Sequence, residues 1–159
     1  GFRIPAFFRE PDGRYSDPKN YPRLSLVQPA THDHPPLAAA WAECWQHIDA
    51  GKDVETNRRE LRLLMEFAGL KAAEPPREFT DQLREAFTRA VLRSTSWLAI
   101  FQITDVFGMT ARFNTPGSVA STNWSYRLPH TVKELDEDPA LLAQTEMFAR
   151  LAQESGRVS

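Results

Sequence analysis

The sequence predicts an α/β fold in which parallel strands alternate with helices. Short apolar segments that are typical of strands lie at residues 1–8, 24–28 and 96–103, and amphipathic helices occupy the chain between the second and third of them. These connections are of crossover length, which excludes hairpins and favours parallel pairing. Three parallel strands with open edges make a poor independent domain, so we expect the last third of a (β/α)8 barrel.

Composition places the chain among ordinary globular proteins, with 42% hydrophobic and 25% charged residues in 159 positions. A net charge of -2 with scattered Lys and Arg offers no extended basic face, which argues against nucleic acid as a partner. The single Cys44 excludes an internal disulfide and fits a reducing, cytoplasmic setting. No apolar run is long enough to predict a membrane span, and the opening Gly1 already reads as part of an element, so we expect a piece of a longer chain.

The elements follow from local signals taken in order. A Pro-Asp-Gly turn at 11–13 ends the first strand segment, and the second strand segment runs directly into a His-Asp pair. Three helices are then predicted: one stopped by Gly51, one stopped by Gly69, and one that follows Pro75-Pro76 with Thr80 as its cap. Their apolar stripes are Leu37, Ala40, Trp41, Cys44, Trp45 and Ile48, then Leu61, Leu64, Met65 and Ala68, then Leu83, Ala86, Phe87, Ala90 and Val91.

Residues 96–103 are almost continuously apolar, which is typical of a strand buried on both faces. A long polar loop follows as far as Arg127, and loops after strands often carry function. A last helix is predicted from the apolar stripe that begins at Leu141, and it ends near Gly156.

The segment Ala30-Thr31-His32-Asp33-His34-Pro35-Pro36-Leu37 lies where the second strand ends, and the carboxyl ends of strands are where α/β barrels place their chemistry. Neighbouring side chains converge only where the backbone turns, and there the carboxylate of Asp33 and the imidazole of His32 could hold vicinal hydroxyls of a sugar. The alternative is that Asp33 caps the following helix while His32 packs against Trp41. We expect no cofactor and no metal, because His32 and His34 have no zinc-type partner pattern elsewhere.

A second cluster in the polar loop combines directional donors with flat aromatic faces, which suits the alternating apolar and hydroxyl faces of a sugar ring. The alternative is that Trp124 and Tyr126 simply hold the loop against the rest of the fold. The members of this cluster are Asn114, Asn123, Trp124, Tyr126 and Arg127.

The His-Asp segment followed by the polar-loop cluster, in this order along the chain, resembles the 4-alpha-glucanotransferases (amylomaltases, or disproportionating enzymes) of glycoside hydrolase family 77. The matching stretches are the Thr-His-Asp segment at 31–33, Ile103-Thr104-Asp105-Val106-Phe107-Gly108, and an Arg-x-Asn-x-Pro-Gly…Asn-Trp-x-x-Arg signature at 112–127. The resemblance implies that residues 1–159 are the C-terminal part of a single catalytic (β/α)8 TIM barrel. Two features depart from the family pattern: His34-Pro35-Pro36 follows the pair, and five residues, 118–122, separate the two halves of the signature.

The resemblance also implies a reaction: retaining transfer of an α-1,4-glucan segment to the 4-hydroxyl of an acceptor glucan or glucose. The nucleophile and the acid/base that such transfer needs would lie on earlier strands, so the isolated chain should be inactive. It implies Asp33 as the transition-state stabiliser, His32 as a contact to the same sugar, and Asn114 and Trp124 beside the cleft. The partners would be maltooligosaccharides, glycogen or starch, with glucose as an acceptor.

Two other functions remain open at this point. One is a non-catalytic carbohydrate-binding module that uses Trp124 and Tyr126 as its platform. The other is an α-amylase-type hydrolase, in which a His-Asp pair plays a similar part and water accepts the sugar. The Asn-x-Pro-Gly loop favours the transferase, because amylases usually continue into a separate β domain.

Overall fold

The computed structural model describes residues 1–71 and 74–158. Three strands form one parallel sheet in the order β1 (Phe2–Arg3), β2 (Leu26–Val27) and β3 (Leu98–Ala99). Parallel pairing of consecutive strands confirms the prediction, although each strand is only two residues long.

The two faces of this sheet meet different surroundings. The register puts Phe2, Leu26 and Leu98 side by side, and it puts Val27 on the opposite face. Val27 is fully buried in the core, whereas Phe2 and Leu98 are 66% and 47% exposed. Within residues 1–71 and 74–158, only one face of the sheet is therefore covered.

The prediction for residues 96–103 was wrong in both length and burial. The strand covers only Leu98–Ala99, and Ile103 already begins the short helix α4 (Ile103–Val106). Ile100 is 43% exposed, so this segment is not buried on both faces. A row of apolar residues looks the same in the sequence whether its second face is covered by the chain at hand or left bare.

The connection from β2 to β3 holds the three predicted helices, α1 (Leu37–Asp49), α2 (Val54–Phe67) and α3 (Asp81–Leu92). Gly51 and Gly69 take the left-handed backbone conformations, at φ of 68° and 74°, that end α1 and α2. The hydroxyl of Thr80 accepts a hydrogen bond from the Leu83 amide, as a cap of α3 should. All three predicted helices are confirmed.

The main core lies between these helices and the covered face of the sheet. Both indole N–H groups of Trp41 and Trp45 donate to the carbonyl of Pro76, each over 3.0 Å, which ties the segment before α3 to α1. The buried residues of this core are Tyr21, Val27, Trp41, Trp45, Leu61, Leu64, Met65, Leu83, Phe87 and Val91.

Residues 107–131, all of which the structure describes, form the predicted loop and contain no helix or strand. Beyond it lie α5 (Val132–Glu137), which the sequence analysis did not predict, and α6 (Pro139–Glu154), which it did. Thr131 and Glu134 form a capping box at the start of α5, so a Thr-x-x-Glu signal was present in the sequence. None of the described helices has the length and apolar character needed to cross a bilayer.

Candidate functional site

The turn after β2 brings His32 and Asp33 to one point. The hydroxyl oxygen of Thr31 accepts from the Asp33 amide at 3.2 Å and lies 2.7 Å from Nδ1 of His34, which closes the turn. A bond from the His34 amide to the carbonyl of Thr31, 2.9 Å long, completes it. Because the backbone reverses here, Nε2 of His32 lies 3.3 Å from Oδ2 of Asp33.

The long loop brings Asn114 and Trp124 to the same point. The side-chain amide of Asn114 donates to Oδ1 of Asp33 over 2.6 Å, across 81 positions of sequence. The ring of Trp124 lies 5.0 Å from the ring of His32 between centroids. His32, Asp33, Asn114 and Trp124 therefore form one group, which we call the His-Asp cluster.

Trp124 occupies an unusual backbone conformation. Its φ is 63°, which lies in the left-handed region of the backbone map. Residues other than Gly and Asn adopt this conformation only at a cost in free energy. A hydrogen bond of 2.7 Å from its amide to the carbonyl of Phe113 holds it there. Trp124 stays 62% exposed, so the fold fixes its backbone while leaving the residue largely open to solvent.

The capping alternative for Asp33 was wrong. The first amide of α1, that of Leu37, donates instead to Oδ1 of Asp105 over 3.0 Å. The packing alternative for His32 was wrong as well, because Trp41 is buried in the core against Phe79. Both side chains are thus directed to the loop and to solvent rather than to α1.

The remaining candidates of the loop make local contacts. Asn123 accepts from the amide of Thr115 and donates to the carbonyl of Ser118, which closes the loop on itself. The Tyr126 hydroxyl lies 3.9 Å from the sulfur of Met109, and its ring meets the edge of Phe113, so both of these contacts lie within the loop itself. Arg127 donates to the nearby carbonyls of 125 and 126.

Sequence reasoning did not select Arg112 or Asp105, and the first of these contacts the cluster. The guanidinium of Arg112 donates to the backbone carbonyl of Asp33 over 3.4 Å and lies 3.9 Å from the carboxylate of Glu43. Asp105 is only 5% exposed, and burial raises the pKa of its carboxyl to about 6, against the opposing effect of the Leu37 amide. In the sequence, Asp105 lies two residues after an apolar run, and no local pattern marks its burial or its contact with Leu37.

The His-Asp cluster presents polar groups and an aromatic face to solvent side by side. The side chains of His32 and Asp33 remain 54% and 42% exposed, so oxygen lone pairs of the carboxylate and one ring nitrogen are open to solvent. The exposed face of Trp124 adds an apolar surface of the kind that packs on a sugar ring. Among residues 1–71 and 74–158, no group of three or more His, Cys, Asp or Glu side chains is arranged to hold a metal ion.

Comparison with known proteins gives a consistent result. The family model described as 4-alpha-glucanotransferase matches residues 1–133. A 4-alpha-glucanotransferase of Chlamydia trachomatis serovar D is 28% identical over 152 residues, which is 89% of this chain and 26% of that protein.

Two solved structures share the fold. An amylomaltase from Corynebacterium glutamicum superposes with a TM-score of 0.72 at 20% identity, over 96% of this chain and 25% of that one. An amylomaltase from Streptococcus agalactiae, solved in complex with acarbose, gives a TM-score of 0.67 at 21% identity, over 100% of this chain and 28% of that one.

The chain thus spans about a quarter of the length of the relatives it matches. The family match covers most of the chain, including the turn after β2 and the loop that contributes Asn114 and Trp124. This chain therefore belongs to the 4-alpha-glucanotransferases of glycoside hydrolase family 77.

Proposed function

We propose that residues 1–159 form the C-terminal part of a single (β/α)8 barrel that acts as a 4-alpha-glucanotransferase. Family membership and the span of about a quarter of each relative support this assignment. The bare apolar face that carries Phe2 and Leu98 supports it too, since the inward face of a barrel strand is covered only when the other strands are present.

The proposed reaction is a retaining transfer of an α-1,4-glucan segment to the 4-hydroxyl of another glucan or of glucose. Retention requires a nucleophilic carboxylate and an acid/base carboxylate on either side of the scissile bond, and both belong to the remainder of the barrel. Asp33 is the transition-state stabiliser: it accepts hydrogen bonds from ring hydroxyls, and these bonds tighten as the sugar distorts and gains positive charge.

The observation that carries this role is the way Asp33 is held. Asn114 fixes Oδ1 from one side and His32 lies beside Oδ2, while 42% of the side chain remains exposed to a ligand. A carboxylate fixed before the substrate arrives needs no reorganisation during the reaction, which is what makes such a group effective.

His32 and Trp124 complete the proposed sugar contact, with the imidazole on a hydroxyl and the indole against the apolar face of a ring. The Streptococcus agalactiae amylomaltase was solved with acarbose, an observation about that protein that supports an oligosaccharide ligand here. Maltooligosaccharides, glycogen or starch are the proposed glucans, and glucose is a proposed acceptor.

The assignment is tested by feeding maltotriose to the full-length protein that contains this chain. We expect glucose together with a ladder of longer glucans, resolved by chromatography. Reducing sugar without chain lengthening would make the protein a hydrolase, and binding of maltooligosaccharides without any turnover would make it a binding module; both results reject the proposal.

The role of Asp33 is tested by Asp33→Asn in the same protein. We expect kcat to fall by about 100-fold or more, because a contact that strengthens in the transition state is lost, while the melting temperature stays close to that of the wild type. Asp136→Asn, at an exposed position of α5, is the matched control and should keep full activity. Near-normal turnover by Asp33→Asn would remove Asp33 from the mechanism.

A further inference from the structure

Asp105 is a buried carboxylate that accepts a hydrogen bond from across the fold. It is 5% exposed, and its Oδ1 accepts from the amide of Leu37 over 3.0 Å, 68 positions away. Its Oδ2 has no hydrogen-bond partner within residues 1–71 and 74–158. A buried carboxylate with one oxygen unpaired is costly, so its presence calls for a reason other than stability.

The N-terminus of α1 depends on this distant carboxylate. Pro36 stands at the cap position and makes no side-chain hydrogen bond in the described structure, and the first turn of α1 contains no acidic residue. Asp105 accepts from the N–H of Leu37, one of the amides that the start of a helix leaves unpaired, and its negative charge suits the positive end of the helix dipole.

The same contact lies close in sequence to the turn that carries Asp33. Leu37 follows Asp33 by four residues, and the loop that begins after α4 carries Arg112 and Asn114, both of which bond to Asp33. Two of these hydrogen bonds reach the turn at Asp33 and a third reaches Leu37 in α1, so three bonds join residues 33–37 to residues 105–114. The bond that Asp105 accepts from Leu37 is the one of these three in which neither partner belongs to the His-Asp cluster.

We propose that Asp105 is a positioning residue of the transferase: by holding the first amide of α1, it places the carboxylate of Asp33 against Asn114 in the geometry that the reaction needs. This proposal rests on the proposed function, and it adds a buried residue that acts on the site without contacting the sugar.

The first test replaces Asp105 by Ala in the full-length protein and measures maltotriose disproportionation. We expect kcat to fall by the order of 10- to 100-fold, because a displacement of about 1 Å at a reacting group costs that much. KM should change by much less, since the sugar-contacting side chains are all still present. Asp105→Asn keeps an acceptor at Oδ1 and should recover most of the lost kcat.

A matched control separates positioning from stability. Asp138 caps α6 through the amides of Ala140 and Leu141, so it makes the same kind of contact at a helix that does not carry the cluster. Asp138→Ala should lower the melting temperature and leave kcat and KM unchanged. If Asp105→Ala behaves like Asp138→Ala, with a lower melting temperature and a normal kcat, Asp105 is a structural cap only and the proposal is overturned.

A second variant removes the other half of the contact. Leu37→Pro deletes the amide that Asp105 accepts from, at the first helical position, where Pro is well tolerated. It should reproduce the loss of kcat even if Asp105→Ala fails to fold. Normal turnover by a folded Leu37→Pro variant would contradict the proposal.

Failure of the proposed function is recognised separately, by a wild-type protein that does not disproportionate maltotriose. In that case amide hydrogen exchange replaces turnover as the readout. Asp105→Ala should then exchange the amide protons of Asp33 and Leu37 faster than the wild type does, while the interior amides of α3 stay as protected as in the wild type. If the amide of Asp33 is as protected in the variant as in the wild type, the positioning role is overturned.

Discussion

Burial of the Asp105 carboxyl raises its pKa from 3.8 to about 6, so the folded protein holds this proton more tightly than the unfolded chain does. Between about pH 4 and pH 6 the folded state binds more protons, and the free energy of unfolding must therefore decrease as pH rises through that window. The full effect is of the order of 3 kcal/mol, which is present below the unfolded pKa and lost above the folded one.

We expect this pH-dependent loss of stability to be measurable as a difference in the free energy of unfolding between the wild type and Asp105→Asn. Urea unfolding of the wild type and of Asp105→Asn should be followed from pH 4 to pH 7, since the amide cannot titrate and all other groups are shared. The stability of the wild type relative to the variant should fall by up to about 3 kcal/mol across this range. A constant difference would show that Asp105 ionises in the folded protein as easily as in water.

At the scale of single residues, the sequence predicted which side chains have suitable chemistry, but it could not predict the distances between them in the fold. His32 and Asp33 were selected because a carboxylate and an imidazole follow a strand, and Asn114 and Trp124 because an amide and an indole suit sugars. That Asn114 lies 2.6 Å from Asp33 is a result of the fold, because the two are 81 positions apart. Asp105 was not selected, since neither its burial nor its contact with Leu37 has a local signal.

At the scale of elements, the cap of α3 gives a direct test of local reasoning. Thr80 was predicted as a cap, and its hydroxyl does accept from the amide of Leu83. Thr80→Ala should lower the free energy of unfolding by about 1 kcal/mol, because that amide loses its partner. Thr80→Ser keeps the hydroxyl and should remain close to the wild type.

Urea unfolding of the full-length protein measures both variants of Thr80. The activity of Thr80→Ala should remain normal wherever the protein is folded, because α3 lies in the core and not beside the His-Asp cluster. An equal loss for Ala and Ser would indicate that packing of the Thr methyl group, rather than the cap, stabilises α3.

Helices were predicted better than strands in this chain, and the reason is physical. Gly51 and Gly69 mark the C-terminal ends of α1 and α2, and Thr80 marks the start of α3. Each of these signals acts within one helical turn, so it can be identified in the sequence. The extent of β3 depends on which strands and helices lie beside it. The strand predicted over residues 96–103 was therefore too long. The short α5 was missed even though its capping box is local, because six residues give no readable period.

At the scale of the whole molecule, the bare face of the sheet predicts how the chain behaves by itself. Phe2, Leu98 and Ile100 are 66%, 47% and 43% exposed, and β1 and β3 pair only with β2 within the described residues. Exposed apolar strands with open edges seek partners, so the isolated chain should self-associate and bind a hydrophobic dye.

Sedimentation velocity of the isolated chain measures this association, and Leu98→Lys should reduce it by placing a charge on the bare face. The same change in the full-length protein should be destabilising, because the position is then proposed to face the barrel interior. An isolated chain that is monomeric and melts cooperatively would contradict the proposed place of these strands in a larger barrel.

The sequence by itself determined most of the elements and the caps and stops of the helices, because these depend on neighbours within a few positions. The lengths of the connections predicted parallel strands, and the residue types predicted a sugar site. Only the tertiary structure decided that His32, Asp33, Asn114 and Trp124 meet, that Asp105 rather than Asp33 holds α1, and that one face of the sheet is bare. Contacts across 68 and 81 positions depend on how all the intervening elements pack together, and no local pattern carries that information.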